Sequence, residues 1–151
     1  MQNFDKKDLV LLRWLQRDST TAIVDLADEV GLSINACWRR VRRLQDEVIS
    51  QQVAILEPET FGFGLTAFVS VRTNEHNDQW LKKFSEGVSQ IVEVVEFYRL
   101  SGQFDYLLKI LAKDIADFDR VYKRVIKIAP LSDVTSSFAM ERIKSTTALP
   151  L

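Results

Sequence analysis

The segment SINACWRRVRRLQ, residues 33–45, carries four arginines and no acidic residue. The formal net charge of the whole 151-residue chain is only -1, so positive charge is concentrated here. On a helical wheel of about 100° per residue, the apolar residues form one stripe and most of the arginines lie opposite it. The segment therefore predicts an amphipathic helix with one packing face and one cationic face.

The apolar stripe of this helix contains five residues: Ile34, Cys37, Val41, Leu44 and Val48. The opposite side holds an amide, a small residue and the cations: Asn35, Ala36, Arg39, Arg42 and Arg43, with Arg40 flanking them. Because Cys37 lies within the stripe, it is interpreted as a small buried hydrophobe. Trp38 lies at the border between the apolar and cationic faces. Two interpretations are compatible with this position: partial packing in the core, or exposure with a stacking or phosphate contact.

The residues before this helix predict a helix-turn-helix. Asp5 can cap a first helix, and a second carries Ile23, Leu26 and Val30 at helical spacing. Gly31 then supplies a turn, and Ser33 is suited to be the N-cap of the arginine-rich helix. In a helix-turn-helix that helix enters the major groove of DNA.

A solvated helix face usually mixes charges of both signs, and this one does not. The cationic face therefore favours nucleic acid over plain solvation. Asn suits adenine and Arg suits guanine, while other arginine contacts go to phosphates. The predicted DNA-binding residues, with base edges expected near the helix start and phosphates further along, are Ser33, Asn35, Ala36, Trp38, Arg39, Arg40, Arg42 and Arg43.

From residue 48 the pattern changes to strands and helices in the order β-α-β-β-α-β, a ferredoxin-like arrangement. VAILEP is a strand-like run ended by Pro58, and FGFG at 61–64 is predicted to be a loop. The fold class expected is α+β. We divide the chain into a helix-turn-helix domain (1–47), an extended linker (48–63) and a ferredoxin-like domain (64–151).

Composition excludes several classes of protein. No apolar run reaches the ~20 residues of a membrane span, and the first residues lack the order of a signal peptide, so we expect a cytoplasmic protein without membrane contact. The single Cys37 excludes an internal disulfide. A pI near 5.9 means that any nucleic-acid site must be local.

Catalytic and metal-binding signatures are weak. The one histidine, His76, lies in the polar stretch NEHND, far from Cys37, so neither a zinc set nor a nucleophile–base pair is indicated. FGFG lacks the GK[ST] of a phosphate-binding loop. We expect no catalytic residue, no metal and no cofactor. A small-ligand enzyme on a ferredoxin-like fold is the alternative, although an enzyme would not need the basic helix.

DLADEVGLSINACWRRVRRLQ (25–45) resembles the helix-turn-helix of the Lrp/AsnC transcriptional regulators. RLSGQFDYLLKI (99–110) and SDVTSSFAMERIKSTTALPL (132–151) resemble the effector domain of that family. The resemblance implies homodimers with packed sheets, commonly assembling to octamers on double-stranded DNA. It also implies an amino-acid effector held near the SGQFD turn. The matching effector-binding positions are Ser101, Gly102, Gln103, Phe104, Asp105 and Tyr106, with Thr135 and Ser137 added by position.

The chemistry of the turn is compatible with such an effector. Gly102 exposes backbone N–H groups that could receive a carboxylate, and Asp105 could pair with an ammonium group. A plain hairpin turn and a turn cap are the alternatives for these two residues. The function expected is a sequence-specific regulator whose assembly or DNA affinity responds to an amino acid. An architectural DNA-binding oligomer without an effector is the alternative.

Overall fold

The computed structural model describes residues 4–151, which form two compact units. One unit comprises the chain up to Ile55 together with Lys144–Leu151, and the other is Leu56–Ile143. This division differs from the one expected from sequence, which assigned the last residues to the second domain. The helices are α1 (Lys6–Arg17), α2 (Ile23–Val30), α3 (Ile34–Glu47), α4 (Asp78–Ser89) and α5 (Ile115–Ile126). The strands are β1 (Leu65–Arg72), β2 (Val94–Arg99), β3 (Tyr106–Ala112) and β4 (Asp133–Phe138).

The first unit is a three-helix helix-turn-helix. Asp5 and Asp8 form a capping box at the start of α1, each side chain accepting a hydrogen bond from the other residue's backbone N–H. α2 ends at Gly31, whose φ of 59° is left-handed, and Ser33 caps α3 by accepting from the Ala36 N–H. These local signals end α2 at Gly31 and begin α3 after Ser33, with a short turn between the two helices. The core of this unit consists of Leu11, Leu12, Leu15, Leu26, Ala27, Val30, Cys37, Val41 and Leu44.

The apolar stripe of α3 is shorter than the wheel predicts. Cys37, Val41 and Leu44 are buried, but Ile34 is 55% exposed and Val48 39% exposed. The stripe fails at its two ends because only its middle packs against the core. α3 ends without a left-handed glycine: the Val48 and Ile49 N–H groups both donate to the Leu44 carbonyl.

The prediction of a strand-like run at VAILEP is wrong. Residues 51–57 are irregular and exposed, and a 3-10 helix follows at Pro58–Phe61, ending at the first residue of the predicted loop. A strand needs a neighbour to satisfy its backbone groups, and these residues have no such neighbour within residues 4–151. A short run of consecutive apolar residues was not enough to form a strand.

The second unit confirms the α+β, βαββαβ prediction. Its four-stranded antiparallel sheet has the order β2-β3-β1-β4, with β1 and β3 in the centre. One face is covered by α4 and α5, and the alternation of β1 and β3 points every second residue into that core. The core is built from Ala67, Val69, Val71, Trp80, Phe84, Val88, Ile91, Tyr106, Leu108, Ile110, Ala112, Phe118, Val121, Val125 and Ala129. The other face of the sheet carries no helix of this unit.

The helices of residues 4–151 are all too short or too polar to cross a lipid bilayer.

Candidate nucleic-acid interface and effector loop

The exposed surface at the start of α3 carries donors without acidic neighbours on the same turn. Asn35 and Arg39 are exposed, and neither side chain is hydrogen-bonded to another group within residues 4–151. Ala36 is half-buried beside them, and the Ser33 hydroxyl accepts the Ala36 N–H at 3.3 Å. Trp38 is 56% exposed, so part of its ring is accessible from this surface. This end of α3 can therefore contact a polyanion without first breaking an internal bond.

Two of the four arginines are bonded to α1. Arg40 Nη1 donates to Asp5 Oδ2 at 2.6 Å and to Asp8 Oδ1 at 2.9 Å. Arg43 Nη2 donates to Asp8 Oδ2 at 2.6 Å. The cationic run lacks acidic residues along the sequence, yet it meets carboxylates of another helix in space. Arg40 and Arg43 thus tie α3 to α1.

Asp8 is the centre of this arrangement, because its side chain is only 3% exposed. Burial raises the pKa of the Asp8 carboxyl, but hydrogen bonds from Arg43 and Arg40 outweigh burial and hold the pKa below its ordinary value of 3.8. The backbone N–H of Asp8 and the Arg40 guanidinium likewise lower the pKa of Asp5. Both carboxylates are therefore ionised at neutral pH.

Arg42 is held far more weakly than Arg40 and Arg43. Its nearest carboxylate is Asp46 at 3.8 Å, one turn along α3, and both side chains are 63% exposed. Exposed ion pairs of this kind contribute little to the stability of the fold, so Arg42 can leave Asp46 for another partner at little cost. Arg39 and Arg42 are thus the cations of α3 that remain available to a ligand.

Cys37 is fully buried, and burial raises the pKa of its thiol. A buried, protonated thiol is a weak nucleophile. Its interpretation as a small core residue agrees with this environment.

The second candidate site is the turn between β2 and β3. The Leu100 N–H donates to the Asp105 carbonyl at 2.8 Å, and the Asp105 N–H donates to the Val71 carbonyl at 2.9 Å. Gly102 has a φ of 152°, at the edge of the region that favours glycine, and open space surrounds it. Ser101 and Gln103 are exposed. The turn therefore presents backbone groups to an open surface at one end of the sheet.

Arg72 and Thr73 hold this turn, and no motif in the sequence singles them out. Arg72 Nε and Nη2 both donate to the Gln103 carbonyl, at 2.9 and 2.7 Å. The guanidinium carbon also lies 5.8 Å from the centre of the Phe104 ring. Asp105 Oδ2 accepts the Thr73 N–H at 2.9 Å, as a turn cap does, while its other oxygen has no bond within the part of the chain described.

Tyr106 is not on the surface of the turn. It is 4% exposed, and its ring lies 5.4 Å from that of Phe84 and 5.8 Å from that of Trp80. The strand alternation explains this placement, because Tyr106 has the same parity as the core residues Leu108 and Ile110. We therefore correct its assignment to the effector site and regard its ring as part of the core.

Thr135 and Ser137 project from the sheet face that lacks helices. Both are exposed, and they pair in register with Ser70 and Phe68 of β1. Thr135 lies closer than Ser137 to the pair formed by Arg72 and Asp133. Of the two residues, Thr135 therefore lies nearer to the turn between β2 and β3, which Arg72 contacts.

No group of three or more His, Cys, Asp or Glu side chains within residues 4–151 is arranged to bind a metal ion. His76 lies on the surface before α4.

Two family models match the two halves of the chain. The AsnC-type helix-turn-helix domain matches residues 4–45, and the Lrp/AsnC ligand binding domain matches residues 66–149. The resemblance noted in the sequence is therefore confirmed.

Relatives cover almost the whole chain. The DNA-binding transcriptional activator DecR of Escherichia coli K12 is 45% identical over 149 residues, which is 97% of this chain and 98% of DecR. The crystal structure of an AsnC family transcriptional regulator from Agrobacterium tumefaciens is 52% identical, with a TM-score of 0.93 and 97% of both chains covered. A transcriptional regulator from Neisseria meningitidis, solved as a complex with L-methionine, is 33% identical with a TM-score of 0.92, covering 98% of this chain and 97% of that one. With its DNA-binding helix-turn-helix and its ligand-binding domain, this chain belongs to the Lrp/AsnC family of transcriptional regulators.

Proposed function

We propose that this protein binds specific double-stranded DNA through α3 and adjusts its assembly or DNA affinity in response to a small amino acid. The observation that carries the proposal is the exposed start of α3, where Asn35 and Arg39 lie on a helix-turn-helix frame without a hydrogen-bonding partner in residues 4–151. Because a transcriptional regulator must have access to DNA, we propose that the protein is cytoplasmic. We propose no catalytic activity for it.

The residues of α3 divide into two roles in this proposal. Asn35 reads adenine, while Arg39 reads guanine or a phosphate, and Arg42 contacts a phosphate. Arg40 and Arg43, which bond to Asp5 and Asp8, set the position of α3 on α1. Ser33, Ala36 and Trp38 complete the surface that approaches the groove.

The turn at 101–105 is the proposed effector site. The N–H groups around Gly102 would receive the carboxylate of an amino acid, and the free oxygen of Asp105 would accept from its ammonium group. Ser101, Gln103, Phe104 and Thr135 would line the remainder. The L-methionine complex of the Neisseria relative supports an amino acid as the class of ligand.

The sheet face without helices is the proposed dimer interface. It carries Phe68, which is 38% exposed, and the half-buried Leu107 and Leu111. An apolar sheet face is stable only when another layer covers it. A second copy provides that layer and brings two helix-turn-helix units to half-sites about 34–36 Å apart. Further assembly, up to an octamer, would extend the same DNA contact.

Effector and DNA would then act on one equilibrium. An amino acid that binds one assembly better than another shifts the population toward it, and the assembly sets the spacing of the α3 helices. Because the coupling is reciprocal, DNA must change the affinity for the amino acid by the same factor.

The experiment that tests the function begins with selection of duplexes from a random pool by the purified protein. The selected duplex is then titrated with protein in the presence of each of the twenty amino acids. We expect one class of amino acid to change the affinity about 5- to 150-fold. Failure to select any duplex would refute DNA recognition. Selection without any amino-acid effect would instead support the architectural alternative.

Replacing Arg72 with alanine should weaken the amino-acid response about tenfold, because two hydrogen bonds to the Gln103 carbonyl hold the turn in place. The measurement is the amino-acid concentration at half-maximal effect in the same DNA titration. Arg72→Lys is the control for charge, since lysine keeps the positive charge but cannot make the paired Nε and Nη2 hydrogen bonds to the Gln103 carbonyl. An unchanged midpoint in Arg72→Ala would show that the turn does not depend on this residue.

A further inference from the structure

The last residues of the chain lie against α1. Lys144–Leu151 is part of the same compact unit as the helix-turn-helix, although it follows β4 of the other unit in sequence. Most of the segment is exposed and has no regular secondary structure. Its position therefore depends on particular contacts with α1.

Gln16 makes the main contact, through both ends of its amide. The Leu149 N–H donates to Gln16 Oε1 at 2.5 Å, and Gln16 Nε2 donates to the Leu149 carbonyl at 3.5 Å. One turn earlier on α1, Arg13 Nε donates to the Leu151 oxygen at 2.7 Å. These bonds involve backbone groups two residues apart, so they define the register of the segment on the helix.

The segment borders a groove of about 810 Å³ in the helical unit. Thr147, Leu149 and Leu151 line it from one side, and α1 residues including Leu12 and Leu15 line it from another. Leu149 remains 67% exposed and Leu151 41% exposed, so the apolar contribution is small. The polar bonds to Arg13 and Gln16 therefore decide where the segment lies.

α1 also controls the position of the DNA-binding helix. Asp8 of α1 bonds to Arg40 and Arg43 of α3, so a displacement of α1 must move α3 or break those bonds. At its other end, the segment is separated from β4 only by residues 139–143, and the Ala139 N–H still bonds to the Thr66 carbonyl of β1. Within the helical unit, the tail is thus bonded to the same helix that bonds to α3.

We propose that Thr147–Leu151 is a docking segment whose surface is the Arg13–Gln16 side of α1, and that it positions the helix-turn-helix for DNA. The role in DNA binding rests on the proposed function, whereas the docking itself does not. Two helix-turn-helix units held in fixed positions bind adjacent half-sites with higher avidity than two loosely tethered ones.

The test uses the full chain with both contacts removed, Arg13→Ala combined with Gln16→Ala. Arg17→Ala is the matched control, because it removes an exposed cation that lines the same groove without bonding to the tail within residues 4–151. Hydrogen exchange of the peptide covering residues 144–151 reports docking. Titration with the selected duplex, and with an unselected duplex of equal length, reports positioning.

We expect the double variant to exchange the tail amides about tenfold faster and to bind the selected duplex about tenfold more weakly, with the unselected duplex unaffected. The control should match the unmodified protein in each measurement. Unchanged exchange in the double variant would refute docking, and faster exchange with unchanged binding would refute positioning. If the unmodified protein selects no duplex, the proposed function and the positioning role fail together, and the exchange measurement alone decides the docking.

Discussion

Replacing Asp8 with alanine is expected to lower the free energy of unfolding by about 3 kcal/mol, with the loss in the helical unit. The Asp8 side chain is 3% exposed and accepts hydrogen bonds from Arg40 and Arg43. Alanine leaves both guanidinium groups without their buried acceptor and also removes the oxygen to which the Asp5 N–H donates. The arginines are partly exposed and can be rehydrated, which keeps the cost below that of a fully buried pair.

The measurement is urea unfolding followed by circular dichroism at neutral pH. Asp46→Ala serves as the control, since it removes a carboxylate 3.8 Å from Arg42 where both side chains are 63% exposed. Its effect should stay below about 0.5 kcal/mol. Equal losses in the two variants would mean that the Asp8 pairs are no stronger than surface ion pairs.

The Asp8 pairs also predict how stability depends on pH. Because the pKa of Asp8 in the folded protein lies below its ordinary value of 3.8, the unfolded chain binds the proton more readily. The stabilisation is therefore complete at pH values above 3.8 and is lost as the pH falls through the folded pKa. The difference in stability between the unmodified protein and Asp8→Ala should shrink in that acidic range and stay constant above it.

Replacing both Arg39 and Arg42 with alanine should weaken binding to the selected duplex on the order of a hundredfold, because each arginine supplies a charge-assisted bond. The slope of log affinity against log salt should flatten by about one unit for each phosphate that an arginine no longer neutralises. The measurement is a titration of the duplex at several salt concentrations. Both residues are exposed, so the fold should be unaffected.

Arg40→Ala with Arg43→Ala is the matched comparison, because it removes the same charge from the same helix. These side chains are bonded to Asp5 and Asp8, so this variant should lose stability while retaining most of the salt slope. Equal flattening of the slope by the two double variants would show that the bonds to α1 do not keep Arg40 and Arg43 from DNA.

Much of the fold could be predicted from sequence because its signals are local. Ser33 caps α3 and Gly31 adopts the left-handed turn before it, as their chemistry suggests. The alternation in β1 and β3 likewise indicates the buried face of the sheet. That alternation also indicates that Tyr106 is a core residue, because it has the same parity as Leu108 and Ile110.

The sequence did not predict structure correctly where a segment depends on contacts with residues far away in the chain. The run at 51–57 contains four apolar residues in succession but remains irregular, because no neighbouring strand within residues 4–151 satisfies its backbone. The turn at 101–105 could be located from its residues, but Arg72 and Thr73, which hold it, lie far earlier in the chain. Nothing in the sequence around residues 72–73 or in the turn at 101–105 indicates that the two segments are in contact.

The sequence by itself determined the order of the five α-helices and four strands and most of the faces that become buried, since those depend on spacing and on local backbone chemistry. It also determined that four arginines would share one helix. Only the tertiary structure decided which of them are free to bind a ligand. Asp5 and Asp8, at the start of α1, form ion pairs with Arg40 and Arg43 of α3. Such pairing depends on the distance between the charges in space, and the spacing of residues along α3 gives no information on that distance.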